Sequence, residues 1–387
     1  MRNWMLMPLS LLTLWAVLEL GLRVAGYNPL GDLIYGDRVT FVQPSSHSAR
    51  IYEGVPHAKG RAWGANVQLN ALGLRDREYS VLAPAGVKRI VVIGDSITFG
   101  NYMPQASTYV EQLEALYAAQ NQPVEVINIG LGGYDTLQEV AALEDVGLAF
   151  KPDLVIVGFC INDIGVASGN LDYILKLKEY GATPLYRLRT AQWVRVQLDR
   201  IRLGQEMIEA NKAERFVAVY GDYSVDVTQD DALMALRQQL GPIDGGDRRF
   251  SFSNAYTNPV NLGRMRYAFE RLRGIANREG FPVLVLVIPF LMDEPANHDV
   301  WQTVYQMIGH EVQRVGFDVY NPYPVFKAYG FESLPQRSND FIHPNKEGHR
   351  LMAEGLQQRI AAKGWLLPVS PAQPDAAEPS AGSSVHN

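Results

Sequence analysis

The chain has almost no cysteine. A single residue, Cys160, among 387 excludes an intramolecular disulfide framework, a CxxC redox pair and a cysteine-rich zinc knuckle. One thiol is compatible with a reducing or an oxidising compartment, so the compartment stays open on this count. Positive charge is also scarce. With 35 Lys and Arg against 41 Asp and Glu, the formal charge is −6, which is not the balance of a nucleic-acid-binding protein. Histidine is sparse, and His298, His310 and His349 lack metal-ligand spacing. No metal or other cofactor is expected, and these three are read as surface or helix residues. No internal repeat is visible. What the chain does have is apolar mass: 47% hydrophobic residues against 20% charged exclude a mainly disordered protein and suffice for a large core.

The first long uncharged run stands at the N-terminus, from Trp4 to Leu18, behind Arg2. Its fifteen residues reach about 22 Å as a helix, short of a hydrocarbon core of about 30 Å. Extension to Ala25 supplies the missing length, with Glu19 and Arg23 paired at i, i+4 near the far interface, where arginine snorkels. No small-x-small cleavage pattern follows, so an uncleaved membrane anchor over residues 1–26 is preferred to a removed signal peptide or a buried amphipathic helix. Positive charge ahead of the run favours a cytoplasmic start and an exported body. At the other end, residues 366–387 are rich in Pro, Ala and Ser without periodic apolar positions, and read as a disordered tail.

Between these ends, strands and helices alternate. Lys88 to Ile93, Val124 to Ile129, Leu154 to Phe159 and Val283 to Ile288 are short apolar runs, with a further short strand at Asp318 to Tyr320. Helical spacing is expected over Tyr109 to Ala119, Thr136 to Leu148, Asn261 to Arg278, Asp299 to Val315 and Pro344 to Ala362, the last with proline in its first turn. Continuous apolar strands joined by crossover helices predict an α/β protein: a three-layer α/β/α sandwich with a central parallel sheet. The expected organisation is an irregular collar over residues 27–87 and a body over 88–365. The body is interrupted at about 165–259 by an insertion with helices near Ala191 to Glu209 and Asp230 to Leu240. That insertion is read as lying over the sheet's carboxyl edge, as a lid or as structural elaboration.

Chemistry-bearing residues fall at the strand ends. Gly94 to Gly100, GDSITFG, puts Ser96 after a buried strand and before a helical stretch, where a nucleophile is useful. Asp340 to Asn345, DFIHPN, puts Asp340 and His343 three residues apart, so one loop can supply an imidazole base and the carboxylate that orients it. Two further loops can stabilise an oxyanion. NIGLGGYDT, Asn128 to Thr136, offers a backbone amide at Gly133 or Gly132, and CIND, Cys160 to Asp163, offers the amide of Asn162. Asp95 and Asp163 are read as loop braces, and Cys160 as a buried inert thiol.

Ser, Gly, Asn and Asp-x-x-His in this order resemble the blocks of the SGNH (GDSL-type) hydrolase superfamily. The match runs from about Lys88 to Ala362 outside the insertion, and Cys160 stands where the family's third block has glycine. The resemblance implies a flavodoxin-like SGNH hydrolase fold. It also implies Ser96 as nucleophile, His343 as general base and then acid, and Asp340 as the orienting carboxylate. The oxyanion hole would be the N–H groups of Ser96 and Gly133 with the side chain of Asn162, and no metal is involved. With an anchor, the body would lie in the periplasm or outside the cell, on the inner membrane of a bacterium, where acylated carbohydrate or lipid is the available ester. The expectation is an esterase removing acyl groups, acetyl above all, from such substrates. An O-acyltransferase with the same triad and a non-catalytic tethered polysaccharide-binding or assembly protein are the alternatives.

Overall fold

The computed structural model describes residues 6–30, 41–62, 65–165, 169–202, 217, 221–240, 255–292 and 298–366. The expected tail beyond residue 366, the first five residues and part of the long connection expected as an insertion lie outside them. In chain order, α1 (Leu6–Val24) comes first. It precedes two antiparallel pairs, β1 (Val42–Pro44) with β2 (Tyr52–Gly54) and β3 (Lys59–Ala62) with β4 (Ala65–Gln68). Strands of three or four residues show no alternation long enough to be read, so this stretch looks irregular in sequence.

The main alternation follows: β5 (Lys88–Gly94), α2 (Ser96–Phe99), α3 (Tyr109–Ala119), β6 (Val124–Asn128), α4 (Thr136–Asp145) and β7 (Leu154–Cys160). The long connection holds α5 (Gly169–Gly181), α6 (Arg189–Arg202) and α7 (Asp231–Leu240). Then come α8 (Pro259–Glu279), β8 (Val283–Ile288), α9 (His298–Arg314), β9 (Asp318–Tyr320), α10 (Tyr323–Tyr329) and α11 (Lys346–Ala362). Strands β5 to β9 form one all-parallel sheet in the order β6-β5-β7-β8-β9. Residues Ile90 to Ile93, Leu154 to Phe159 and Leu284 to Leu286 are sealed from solvent, which is why these runs are apolar without alternation. The crossovers put α3 and α11 together on one face and α4, α8 and α9 on the other.

Because the chain leaves β5 toward β6 on one side and returns to β7 on the other, the carboxyl ends of β5 and β7 flank a switch-point crevice, where open α/β sheets bind ligands.

One expectation is corrected and another sharpened. Proline does not open the last helix: Pro344 precedes it, and Asn345 is its N-cap, with Oδ1 accepting from the N–H groups of Glu347 and Gly348 at 3.0 and 3.2 Å. His349 is in that helix but is not on the surface. It shares a buried face with Met352, Ala353, Leu356 and Ile360, and its Nδ1 accepts from the Tyr109 N–H at 2.9 Å. Burial, with His343 nearby, pushes its pKa down to about 3, so the ring stays neutral. Of the other two histidines, His310 stands in α9 with Nε2 3.0 Å from Asp230, and the side chain of His298 is outside the described residues.

Strands β5 and β7 pair Gly94 with Gly158. A Cβ on Gly158 would lie 2.4 Å from Tyr109 Oη and 2.5 Å from Thr98 Oγ1, two hydroxyls that share a hydrogen bond of 2.8 Å. The missing side chain therefore lets α2, which carries Ser96, sit directly on the sheet. Gly158→Ala is expected to destabilise the fold by about 1–3 kcal/mol through overpacking, measured by denaturant unfolding.

Candidate active site

Ser96 is the first residue of α2, and Asp95 is its N-cap, accepting from the Ile97 N–H at 2.9 Å. Gly100, in the left-handed region at φ 83°, ends this single turn. The half-buried Ser96 Oγ lies 3.0 Å from His343 Nε2 and 3.1 Å from Asp95 Oδ2. Asp95 is wholly buried, and burial pushes its carboxyl above the usual range despite the hydrogen bond from Ile97 and the nearby His343.

His343 and Asp340 stand on a pinned loop ahead of α11. Pro335 bridges Pro344, and the Gln336 N–H donates to the His343 carbonyl at 2.9 Å. Asp340 Oδ1 accepts the N–H groups of Ile342 and His343 at 3.1 and 3.0 Å, while both its oxygens lie 3.1 Å from His343 Nδ1. The three-residue spacing thus lets one carboxylate close its own turn and face the imidazole that the turn presents. Burial works against its charge, but the hydrogen bonds and charge of His343 prevail and hold its pKa at about 2. The Tyr102 ring meets the His343 ring edge-on at 5.0 Å, and the Arg337 guanidinium covers Tyr102 at 3.8 Å.

The glycine loop rests on the serine turn through the Leu131 N–H, which donates to the Gly94 carbonyl at 3.1 Å. Gly133 has φ 77°, a conformation that favours glycine. The carbonyl of Gly132 accepts from Tyr52 Oη at 3.1 Å and from Asn170 Nδ2 at 2.5 Å. In a trans peptide the C=O and N–H point opposite ways, so holding the Gly132 oxygen fixes the direction of the Gly133 N–H. Tyr52 is itself tied in, since Tyr134 Oη donates to its carbonyl at 2.6 Å and accepts from Arg50 Nε at 3.0 Å.

Asn162, in the 3₁₀ turn Ile161–Ile164 after β7, reaches Asp95 Oδ2 with Nδ2 at 3.4 Å, which is long for a hydrogen bond. Beneath it, Asp163 Oδ2 accepts the Cys160 N–H at 2.6 Å. Burial and the charge of Asp95 push both Asp163 and its buried neighbour Glu139 well above the usual carboxylate range. Burial likewise pushes the Cys160 thiol up. Asp230, His310 and Glu311 form an acid and histidine cluster distant in sequence from these loops. Arg266 bonds both carboxylates and supplies their countercharge.

Ser96, Asp340 and His343 therefore meet in hydrogen-bonded sequence, with the Gly133 and Asn162 loops on the same crevice. Tyr52, Arg75, Tyr102 and Asn170 were not legible. Buried Arg75 donates to the carbonyls of Phe99 at 3.1 Å, Met103 at 2.7 Å and Gly100, setting the loop that carries Tyr102. A lone arginine or tyrosine in a stretch of short strands carries no spacing signal, and Asn170 opens a helix like any polar first-turn residue.

A serine, an imidazole and a carboxylate linked in this way at the switch point of a parallel sheet define the class of α/β serine hydrolases. The chain belongs to the GDSL-like Lipase/Acylhydrolase family, whose match spans residues 92–351, and it is an SGNH-type esterase. Among solved structures it is similar to LAE5, an alpha/beta hydrolase enzyme from the metagenome of Lake Arreo, Spain, at 17% identity and TM-score 0.39 over 73% of this chain and 97% of that one. The acetylxylan esterase Axe2 from Geobacillus stearothermophilus is similar at 13% and 0.38 over 70% and 94%. A lipase/acylhydrolase from Enterococcus faecalis is similar at 15% and 0.37 over 71% and 96%. No curated protein matches the chain.

If the Gly132 carbonyl aims the Gly133 amide, Tyr52→Phe and Asn170→Ala each lower kcat on an ester by about tenfold with KM little changed, as steady-state kinetics will show. The acid limb of stability carries a second expectation. Because Asp340 is depressed in the fold, its stabilisation is complete above the unfolded value of 3.8 and is lost as pH falls through about 2. The stability gap between wild type and Asp340→Asn should narrow over that window and be constant above it, measured by denaturant unfolding at each pH.

Proposed function

We propose that this esterase is a membrane-tethered serine enzyme that removes short O-acyl groups, acetyl above all, from envelope carbohydrate. The observation that carries the reading is the unbroken contact from Ser96 Oγ to His343 Nε2 at 3.0 Å and from His343 Nδ1 to Asp340 at 3.1 Å. In this reading Ser96 attacks the ester carbonyl and its proton passes to His343 Nε2, while Asp340 holds Nδ1–H and balances the imidazolium. The oxyanion is met by the N–H groups of Ser96 and Gly133 and by Asn162 Nδ2, each donor lowering the barrier by about 3 kcal/mol. His343 then protonates the departing sugar alcohol. Water, deprotonated by the same ring, attacks the acyl-enzyme, releasing the acid and restoring Ser96.

Two features support the rest. A cleft of about 480 Å³ beside Tyr102 is lined by Arg61, Ala65, Asn66, Pro104 and Gln105, and its guanidinium and carboxamides suit hydroxylated sugar better than a long acyl chain. Helix α1 is long and apolar enough to cross a membrane, with an 18-residue apolar window, Met7–Val24, of which only 6% is buried. The Glu19–Arg23 pair forms, at 2.6 Å, toward its end. As an uncleaved anchor in a bacterial inner membrane, α1 would hold the body on the outer side of that membrane.

Ser96→Ala is expected to abolish both fluorophosphonate labelling and p-nitrophenyl acetate hydrolysis in a chain of unchanged melting temperature. Labelling and turnover equal to wild type would defeat the proposal. Arg61→Ala combined with Asn66→Ala should raise KM for an acetylated oligosaccharide and leave p-nitrophenyl acetate kinetics unaltered. Equal KM values for the oligosaccharide would remove the cleft from the reading.

A further inference from the structure

Helix α6 presents an apolar stripe that no described residue covers. Trp193, Val194 and Leu198 are 45, 50 and 42% exposed, and Leu185, in the 3₁₀ turn Pro184–Arg187 just before the helix, is 59% exposed. At 100° per residue the three helical positions fall within an arc of about 140°, while Val196, off that arc, is buried. Exposed apolar side chains grouped on one face of a helix are candidates for an interaction surface. Arg187 and Arg189 flank the start of the stripe, and Arg195, beside it, pairs with Glu179 at 3.4 Å.

The start of α6 is fastened to α1. Glu19 Oε1 accepts the Arg189 N–H at 3.0 Å, and its Oε2 accepts the N–H and Oγ1 of Thr190 at 2.9 and 3.0 Å. Trp15 Nε1 donates to Thr190 Oγ1 at 3.0 Å, and Arg23 Nη2 donates to the Arg187 carbonyl at 2.8 Å. Helix α6 therefore begins at the height of Trp15 to Arg23 on α1. Helix α1 exposes Met7, Leu9, Leu11, Leu12 and Leu14 and, further on, Val17, Leu18, Leu20 and Val24, while its only charges, Glu19 and Arg23, stand toward the end where a spanning helix leaves the hydrocarbon. The contacts of Glu19 and Arg23 thus set the start of α6 toward the interfacial end of α1.

We propose that α6 lies in the interface of the leaflet from which α1 emerges. Trp193, Val194, Leu198 and Leu185 rest at the acyl boundary and the flanking arginines face anionic lipid headgroups. The occupant is a lipid surface because the stripe begins at the interfacial end of α1 and combines tryptophan and aliphatic side chains with a basic flank. This inference rests on the reading of α1 as an anchor. Its consequence is a body seated on the membrane by two helices. Helix α5, which packs on the 3₁₀ turn before α6, carries Asn170 to the Gly132 carbonyl, so the interfacial segment is one helix away from the glycine loop.

Cys160 is buried, so introduced cysteines can be labelled selectively in the full chain. Single cysteines at Trp193, Leu198, Leu12 and the exposed Leu82, each in a chain of wild-type melting temperature, would carry an environment-sensitive fluorophore. The chains would be reconstituted in phosphatidylethanolamine and phosphatidylglycerol vesicles with and without acyl-brominated lipid. The expected result is a blue shift and bromine quenching at 193, 198 and 12, with neither at 82. Quenching at 12 alone, with 193 and 198 behaving like 82, would overturn the α6 proposal and leave the anchor standing. Absence of quenching at all four positions would remove the anchor and the proposal together. A blue shift at 193 and 198 that grows with the protein-to-lipid ratio and resists bromine would mean that a second copy covers the stripe, which also overturns it. Replacing phosphatidylglycerol by neutral lipid should weaken quenching at 193; an unchanged signal would overturn the headgroup contact.

Discussion

The contact between Ser96 and His343 joins residues 247 positions apart, and most of the ordered body can be understood as the apparatus that keeps them 3.0 Å from each other. One partner rides on α2 at the end of β5, pressed onto the sheet because Gly158 has no side chain. The other is presented by a loop whose far end is the start of α11. The buried, neutral ring of His349 accepts the first N–H of α3 and so keys α11 to α3, six residues beyond His343. Neutrality matters here, because a protonated Nδ1 has no lone pair to accept that bond.

Around this contact the carboxylates divide into two kinds by their surroundings. Asp340 gathers two backbone N–H groups and an imidazole, and is held ionised at about 2 against the opposing effect of burial. Asp95, Asp163 and Glu139 lie deeper: burial pushes Asp95 up despite the nearby His343, and burial with repulsion from Asp95 pushes Asp163 and Glu139 up. The first environment keeps a charge facing the imidazole; the second suits struts that hold loop backbones.

Much of the bracing comes from residues ahead of the 92–351 family match. Tyr52 holds the Gly132 carbonyl, Arg75 holds the loop of Tyr102, and Asp76 accepts the Asn128 N–H at 2.8 Å at the end of β6. The short strands and turns of this stretch thus have a physical office: they supply polar side chains to carbonyls, and in the case of Asp76 to an N–H, of the sheet's own loops and strand ends.

The sequence by itself determined what depends on neighbours along the chain. The apolar runs of β5, β7 and β8 declare burial on both faces, the Asp340 to His343 spacing closes a turn that any backbone of that length can close, and the uncharged run of α1 is visible in composition alone. Even there, local rules misjudged Pro344 against the stronger cap of Asn345. Only the tertiary structure decided that His349 is a buried acceptor, that Tyr52 and Asn170 converge on one carbonyl, and that Glu19 caps a helix 170 residues away. A hydrogen bond between distant segments leaves no period in the sequence: its partners are chosen by where the sheet and its crossovers deliver them, and a tyrosine, an asparagine or a glutamate carries no mark of which oxygen or N–H it will meet.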